Sequence, residues 1–337
     1  MTGAIGAVVP RPLTDDFDTA ADTDDVLGRI ELHVVEDPGR WSEHLDESEI
    51  LITGISTQVV PALELARAMP RLRWIHSLTA GTEDLLAQEL LERRVLVTNG
   101  AGAYATAIAE YAFAAMVLLA RRIPELLLAS SRREWRDPHP LGGELAGRQV
   151  GIVGYGGIGR ALARLCASAG MSVWGLRRRA AAREQRDSAE RVLEAAALGE
   201  LLEASDFVVV AASLNPSSRG LLGQAQFEAM RSGAFLVNVS RGALVDEAAL
   251  AAALRSGRLA GAVVDVTAIE PLPVESELWD APNCWVTSHM SGGTSESRRR
   301  AFELLLVNCI AYLGGDPDAM HNRVDLALEL AVEGAAC

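Results

Sequence analysis

Short apolar runs of β character alternate with amphipathic helical patterns along most of this chain. Residues 4–9, Ile30–Val35, 49–53, 72–77 and 95–98 read as strands. Helical patterns at 41–45 and 59–69 lie among them, and Pro61 suits the first turn of the second. Residues 14–25 are acidic and weakly apolar, as expected of a surface connection, and 332–337 read as a loose tail. A long Ala/Leu/Met-rich helix is predicted over 104–122, ended by Pro124 and followed by a loop at 133–145. The alternation then resumes, with strands at 206–211, 234–239, 260–266 and 285–287 and helices at 224–230, 246–255 and 294–313. Strands that alternate with helices imply parallel, doubly wound sheets. Two such α/β layers are predicted, residues 1–102 with 294–337 and residues 103–293, with a cleft between them suited to a small ligand.

One stretch organises the second layer. The apolar run Gln149-Val150-Gly151-Ile152-Val153 ends in Gly154-Tyr155-Gly156-Gly157-Ile158-Gly159. Ile158, Ala161, Leu162, Leu165, Cys166 and Ala169 then recur at helical spacing, Gly170 closes the helix, and 171–176 read as the next strand. In such a strand–turn–helix–strand unit the glycines allow a tight turn, close approach to a pyrophosphate and close helix–strand contact. A dinucleotide site is therefore predicted, in preference to a plain glycine-rich turn.

Composition narrows the partners. Lys+Arg 31 against Asp+Glu 45 gives a net charge of -14 over 337 residues, which argues against nucleic acid or an anionic membrane as partner. No apolar run reaches the ~20 residues of a membrane helix. The four cysteines, Cys166, Cys284, Cys309 and Cys337, are scattered without zinc-ligand spacing, so no metal site and a reducing, cytoplasmic compartment are expected.

Ligands of open α/β sheets bind beyond the carboxyl ends of the strands. Asn238, Ser240 and Arg241 lie at the end of one predicted strand, Asp265 closes another with Glu270 beyond it, and His289 follows a third. A guanidinium fork binds a carboxylate or carbonyl oxygens, an imidazole exchanges a proton near neutral pH, and a carboxylate beside it fixes its orientation. Alone, each has a structural reading as ion pair, core histidine or turn cap. Together, on the edge that carries the glycine turn, they suit reduction of a keto group next to a carboxylate.

These segments resemble the D-isomer-specific 2-hydroxyacid dehydrogenase family. Val237-Asn238-Val239-Ser240-Arg241-Gly242-Ala243-Leu244-Val245-Asp246 is similar to its V-N-x-x-R-G-x-x-V-D signature, and Asp265-Val266-Thr267-Ala268-Ile269-Glu270-Pro271-Leu272-Pro273 to its D-V-F-x-x-E-P-L-P block. His289 with Ser291-Gly292-Gly293 is similar to its histidine segment. Trp74-Ile75-His76, Ala80-Gly81, Asn99 and Ala109-Glu110 match first-domain landmarks. The resemblance implies a Rossmann-type nucleotide domain and a flavodoxin-like substrate domain. It implies Arg241 on the substrate carboxylate and carbonyl, His289 as acid/base and Glu270 as its partner. Backbone N–H groups of Leu78, Thr79, Ala80 and Gly81 would cradle the substrate carboxylate, and Asp265 would meet the nicotinamide carboxamide. Gly154, Tyr155, Gly156, Gly157, Ile158, Gly159, Thr106 and Ser240 would line the cofactor. A homodimer through the nucleotide domains is implied, with 104–122 and the Trp135 loop in the contact. Specificity for the substrate side chain is expected near 55–57, 78–82 and Met290.

The chain departs from the pattern in three places. Thr267 replaces an aromatic residue, Ser288 replaces a proline, and the acidic residue expected roughly 20 residues beyond the glycine turn is absent. That place reads Arg177-Arg178-Arg179, a set that can pair with a 2′-phosphate, so NADP(H) is favoured over NAD(H). The alternatives to a 2-ketoacid reductase are an enzyme of the phosphoglycerate, phosphite or formate dehydrogenase type, or a nucleotide-sensing scaffold like the co-repressors of this fold. Glu270 stands where formate dehydrogenases usually have glutamine, which weighs against that branch.

Overall fold

The computed structural model describes residues 5–10, 30–35, 45–54, 61–136, 142–178, 188–327 and 330. The chain falls into two compact units, Met1–Tyr104 with Thr294–Cys337, and Ala105–Gly293. The predicted surface connection at 14–25, the start of the 41–45 helix, the 55–57 loop, Arg179 and the 332–337 tail lie outside the described residues.

In the first unit β1 (Ile5–Pro10), β2 (Ile30–Val35), β3 (Ile50–Thr53), β4 (Trp74–Ser77) and β5 (Leu96–Asn99) form a sheet in the order β2-β1-β3-β4-β5. All its pairs are parallel. Successive strand residues face opposite sides. Ile50, Ile52 and Trp74 therefore join one apolar cluster, while Leu51, Ile75 and Val97 join the other. The helix Ser295–Leu313 packs into the first cluster through Ala301, Phe302, Leu305 and Cys309, with Tyr312 stacked on Trp74. It starts where Thr294 accepts from the N–H of Ser297, a cap that contributes about 1 kcal/mol.

In the second unit β6 (Gln149–Val153), β7 (Ser172–Arg177), β8 (Arg191–Glu194), β9 (Phe207–Val210), β10 (Ala234–Asn238), β11 (Leu259–Val264) and β12 (Cys284–Val286) run parallel in the order β12-β11-β10-β9-β6-β7-β8. Its central strands are apolar throughout because both faces are covered. Val208 and Val210 belong to one core, Phe207 and Val209 to the other. Leu176, Val153, Val210, Asn238, Val264 and Val286 form a single register row across the sheet. The glycine turn, Arg241, Asp265 and His289 all lie just beyond that row. The chain reverses its winding between β6 and β9, the place where such sheets bind ligands.

Several elements differ from the expectation, three of them in the second unit. Pro124 starts a helix, Ile123–Ser131, as well as ending one: the helix Ala105–Ala120 stops, Arg122 turns at φ 54, and the proline sits in the first turn of the next helix. The guanidinium of Arg122 grips both Glu125 oxygens, at 2.8 and 2.7 Å, and fixes the junction. The edge strand β8 and the helix Leu198–Ala204, four and seven residues long, are too short for their periodicity to stand out. β8 is held by pairing with β7 and by Arg191 lying 4.3 Å over the Trp174 ring.

Candidate active site

The glycine turn fits a dinucleotide. A side chain on Gly154, at φ 102, would meet Ala212 N at 2.3 Å, and one on Gly159 would meet Gly154 O at 2.6 Å. Gly156 faces open space, and no side chain caps the helix Gly157–Ser168 that follows. Exposed N–H groups at that helix start, with its dipole, suit a pyrophosphate. Thr106 is exposed in the first turn of the helix Ala105–Ala120, and a Cβ on Gly157 would lie 3.8 Å from the Cβ of its neighbour Ala105. The side chain of Tyr155, within the turn, points into the protein. It is 2 % exposed and packs where Gly175 leaves room on β7, since a Cβ there would sit 2.3 Å from the ring. Its N–H, like that of Gly154, donates to Leu176 O.

Arg177 closes β7 and Arg178 follows it, exposed. Among the described residues neither has an ion-pair partner. The row that holds Arg177 continues to Glu194 on β8, so a carboxylate stands one strand further out.

At the other end of the edge, Asn238 shapes the arginine loop. Buried, it accepts from Ser240 N–H at 3.2 Å and donates to Arg241 O at 3.2 Å. Ser240 is buried and its hydroxyl donates to Ala212 O, so its side chain ties the loop to the segment after β9. The hydroxyl proton of Ser240 is therefore committed within the protein. Arg241 is half-buried, with Nη1 donating to Ser240 O at 2.8 Å. Gly242 lets this loop press on the one after β11, for a Cβ there would meet the Thr267 carbonyl carbon at 1.9 Å.

His289 Nδ1 lies 2.8 Å from Glu270 Oε2, and Glu270 Oε1 accepts from Thr267 N–H at 3.0 Å. An ionised carboxylate only accepts, so Nδ1 carries the hydrogen and Nε2 is the outward nitrogen. The histidine side chain is 48 % exposed, which leaves Nε2 accessible. His289 has φ 54, a left-handed conformation in a segment with neither glycine nor proline. Asp265 holds it there. Its backbone oxygen accepts from His289 N–H at 2.8 Å, while its carboxylate accepts from Met290 N–H at 2.9 Å, Ser291 N–H at 2.8 Å and the Thr287 hydroxyl at 2.6 Å. Burial alone would raise this carboxyl, but the bonds from Ser291, Thr287 and Met290 outweigh it and hold the group below the usual carboxylate range. At 1 % exposure Asp265 offers little surface to the expected carboxamide. Sequence reasoning missed its structural task because the bonds reach 22 to 26 residues along the chain.

In the first unit, the turn after β4 is fixed by Thr79 Oγ1 donating to Gly81 O at 3.1 Å and Asn99 Nδ2 donating to Ala80 O at 3.0 Å. Leu78 corrects the expected cradle: its N–H donates to Thr53 O at 2.7 Å and its side chain is buried. Among the described residues the N–H groups of Thr79, Ala80 and Gly81 have no acceptor. Beneath the turn, Trp74 Nε1 donates to Thr98 Oγ1, which also bonds His76 Nδ1 at 2.7 Å. Burial pushes the His76 imidazole down to about 3, so it stays neutral and moves no proton at ordinary pH. No group of His, Cys, Asp and Glu among the described residues could hold a metal ion, and no described helix is long and apolar enough to cross a membrane.

A parallel sheet with a dinucleotide turn and an imidazole–carboxylate pair on one edge defines a nicotinamide-dependent oxidoreductase. The profile of the "D-isomer specific 2-hydroxyacid dehydrogenase, NAD binding domain" matches residues 113–291. The chain is 35% identical over 267 residues to a glyoxylate reductase of Korarchaeum cryptofilum, covering 77% of this chain and 80% of that one. It is 33% identical over 307 residues to the glyoxylate reductase of Thermococcus litoralis, covering 87% and 91%. Among solved structures, the NADPH-dependent glyoxylate/hydroxypyruvate reductase of Sinorhizobium meliloti, in complex with NADP and sulfate, has a TM-score of 0.79 at 26% identity, covering 96% of this chain and 99% of that one. The chain belongs to the D-isomer-specific 2-hydroxyacid dehydrogenase family. It is an NAD(P)-dependent oxidoreductase acting on the CH–OH group of 2-hydroxy acids, or on the corresponding 2-keto acids in reverse.

Proposed function

We propose that the protein is a 2-ketoacid reductase for small substrates of the glyoxylate or hydroxypyruvate kind, with NADP(H) preferred to NAD(H). The observation that carries the reading is the His289–Glu270 pair, with its outward Nε2, on the same sheet edge as Arg241 and the glycine turn. Names of relatives point the same way: glyoxylate reductases among the sequences, and a glyoxylate/hydroxypyruvate reductase among the structures. When bound, the nicotinamide supplies the hydride. Arg241 holds the substrate carboxylate and carbonyl oxygen, a task matched to its planar fork. In the first unit the N–H groups of Thr79, Ala80 and Gly81 are proposed as carboxylate donors. His289 gives the proton from Nε2 to the carbonyl oxygen, and Glu270 keeps the ring oriented and balances its charge. Asp265 acts on the reaction through the turn it holds.

The cofactor preference rests on Arg177 and Arg178, which have no partner among the described residues, and on NADP in the Sinorhizobium meliloti reductase. Steady-state rates with NADPH and NADH over a panel of 2-keto acids test the whole proposal. NADPH should be favoured in kcat/KM by roughly tenfold or more, about 1.4 kcal/mol of added transition-state binding. A preference for NADH removes the argument from the arginines, and no turnover with any keto acid favours the scaffold reading.

A homodimer is part of the same proposal. Leu126, Leu127 and Leu128 on the helix Ile123–Ser131 are about half exposed and Trp135 is fully so, an apolar group suited to a second copy. A monomeric mass in sedimentation equilibrium would refute it. A cytoplasmic location, testable by cell fractionation, agrees with the unpaired thiols of Cys166, Cys284 and Cys309, which burial pushes up to about 12.

A further inference from the structure

The turn that presents His289 is tied to a distant helix by two hydroxyls. Tyr111, on the helix Ala105–Ala120, places its Oη 2.6 Å from Thr287 Oγ1, and Thr287 Oγ1 lies 2.6 Å from Asp265 Oδ1. The chemistry fixes the direction of this chain. An ionised carboxylate donates nothing, so Thr287 spends its single proton on Asp265 and must accept from Tyr111. The same Asp265 Oδ1 accepts the N–H of Met290, and Oδ2 that of Ser291, the two residues that follow the histidine.

Each link does something the others cannot. The 287–290 segment contains no glycine, and histidine, though it takes positive φ more often than most residues, does so in a small minority of cases. Hydrogen bonds to Asp265 have to hold the turn. That carboxylate is buried and takes bonds from both Ser291 and Thr287, the Thr287 hydroxyl reaching Oδ1 at 2.6 Å. Tyr111 in turn sets the rotamer of Thr287. Its helix rests on the sheet through Ala112, Ala115, Met116 and Leu119, in the core cluster that holds Val237 and Val263. The tyrosine is therefore anchored on a rigid element.

We propose that Tyr111 and Thr287 are positioning residues for the acid/base histidine, acting as a directed relay, Tyr111 to Thr287 to Asp265, that locks the orientation of the His289 turn. The inference rests on His289 being the proton donor. It adds a determinant that lies outside the substrate- and cofactor-contacting groups, on a helix whose continuation carries the proposed dimer surface.

Five variants of the protein test it, with kcat, keto-acid KM, cofactor Kd and Tm measured for each. Thr287→Val keeps the shape and removes the hydroxyl. It should lower kcat roughly tenfold, the scale set by a misoriented reacting group, with KM and cofactor Kd little changed. Thr287→Ser, which restores the hydroxyl, should recover most of that loss. Tyr111→Phe should give a smaller loss of the same kind, and Tyr111→Phe/Thr287→Val should be no slower than Thr287→Val alone, because the tyrosine works only through the threonine. A wild-type kcat in Thr287→Val overturns the relay, and so do additive losses in the double variant. A loss that follows Tm or cofactor Kd and is not recovered by serine also overturns it. His289→Ala separates the two levels: if it is inactive while Thr287→Val is fully active, only the relay fails. If His289→Ala is itself fully active, the assignment beneath the relay fails.

Discussion

Replacing His289 by alanine is expected to lower kcat by roughly 10²–10⁴-fold, the usual contribution of a positioned general acid, while cofactor affinity stays at the wild-type value. Two features of the structure separate these effects. His289 lies beyond β12, at one end of the strand order, whereas the glycine turn follows β6, with three strands between them. The left-handed turn is held by Asp265 through backbone groups of residues 289–291, which alanine retains. His289→Ala should therefore fold and bind cofactor as the parent does. Cofactor affinity by fluorescence and single-turnover rates make the distinction. An alanine variant with parental turnover would show that the proton comes from elsewhere.

Gly242→Ala is the second large effect, and it touches no substrate. The added methyl would sit 1.9 Å from the Thr267 carbonyl carbon and 2.2 Å from Ala268 N, both backbone atoms that cannot rotate away. One of the two loops has to move. Overpacking of this kind costs on the order of 1–3 kcal/mol, within reach of thermal denaturation. The kinetic cost is expected to be greater. The glycine adjoins Arg241, and the loop it presses on contains Thr267 N–H, which holds Glu270 in place. A displacement near 1 Å between the guanidinium proposed to bind substrate and the proposed acid/base pair can cost about 100-fold in rate. A Gly242→Ala enzyme with parental kcat/KM would mean that the two loops move independently.

The fold was legible because its signals are local. Strand and helix alternation, the glycine unit and the apolar runs of β9 to β11 are written in consecutive residues. The family pattern also singled out Arg241, Glu270 and His289, and the structure brings Glu270 and His289 into hydrogen-bond contact. Other features depend on contacts between distant residues. Asp265 reads as a polar residue at a strand end, and nothing near it announces that it will bind the chain at 287, 290 and 291. Tyr155 sits inside a glycine motif and so invites a ligand role, yet its destination is decided by Gly175 on the neighbouring strand. Leu78 looked free to donate because its acceptor, Thr53 O, belongs to β3. Pro124 read as a stop because a proline that ends one helix and opens another looks the same in sequence. Hydrophobic periodicity finds elements, whereas hydrogen-bond assignments need the third dimension.

The seating of Tyr155 against Gly175 limits how far this protein can be re-engineered toward another nucleotide. Swapping Arg177 and Arg178 for acidic residues alters positions that open to solvent at the strand terminus. Randomising Gly175, two residues upstream, would evict the phenol ring and reshape the loop on which every nicotinamide coenzyme depends. A mutagenesis library for switching coenzyme should accordingly begin at the first arginine and leave the preceding glycine alone.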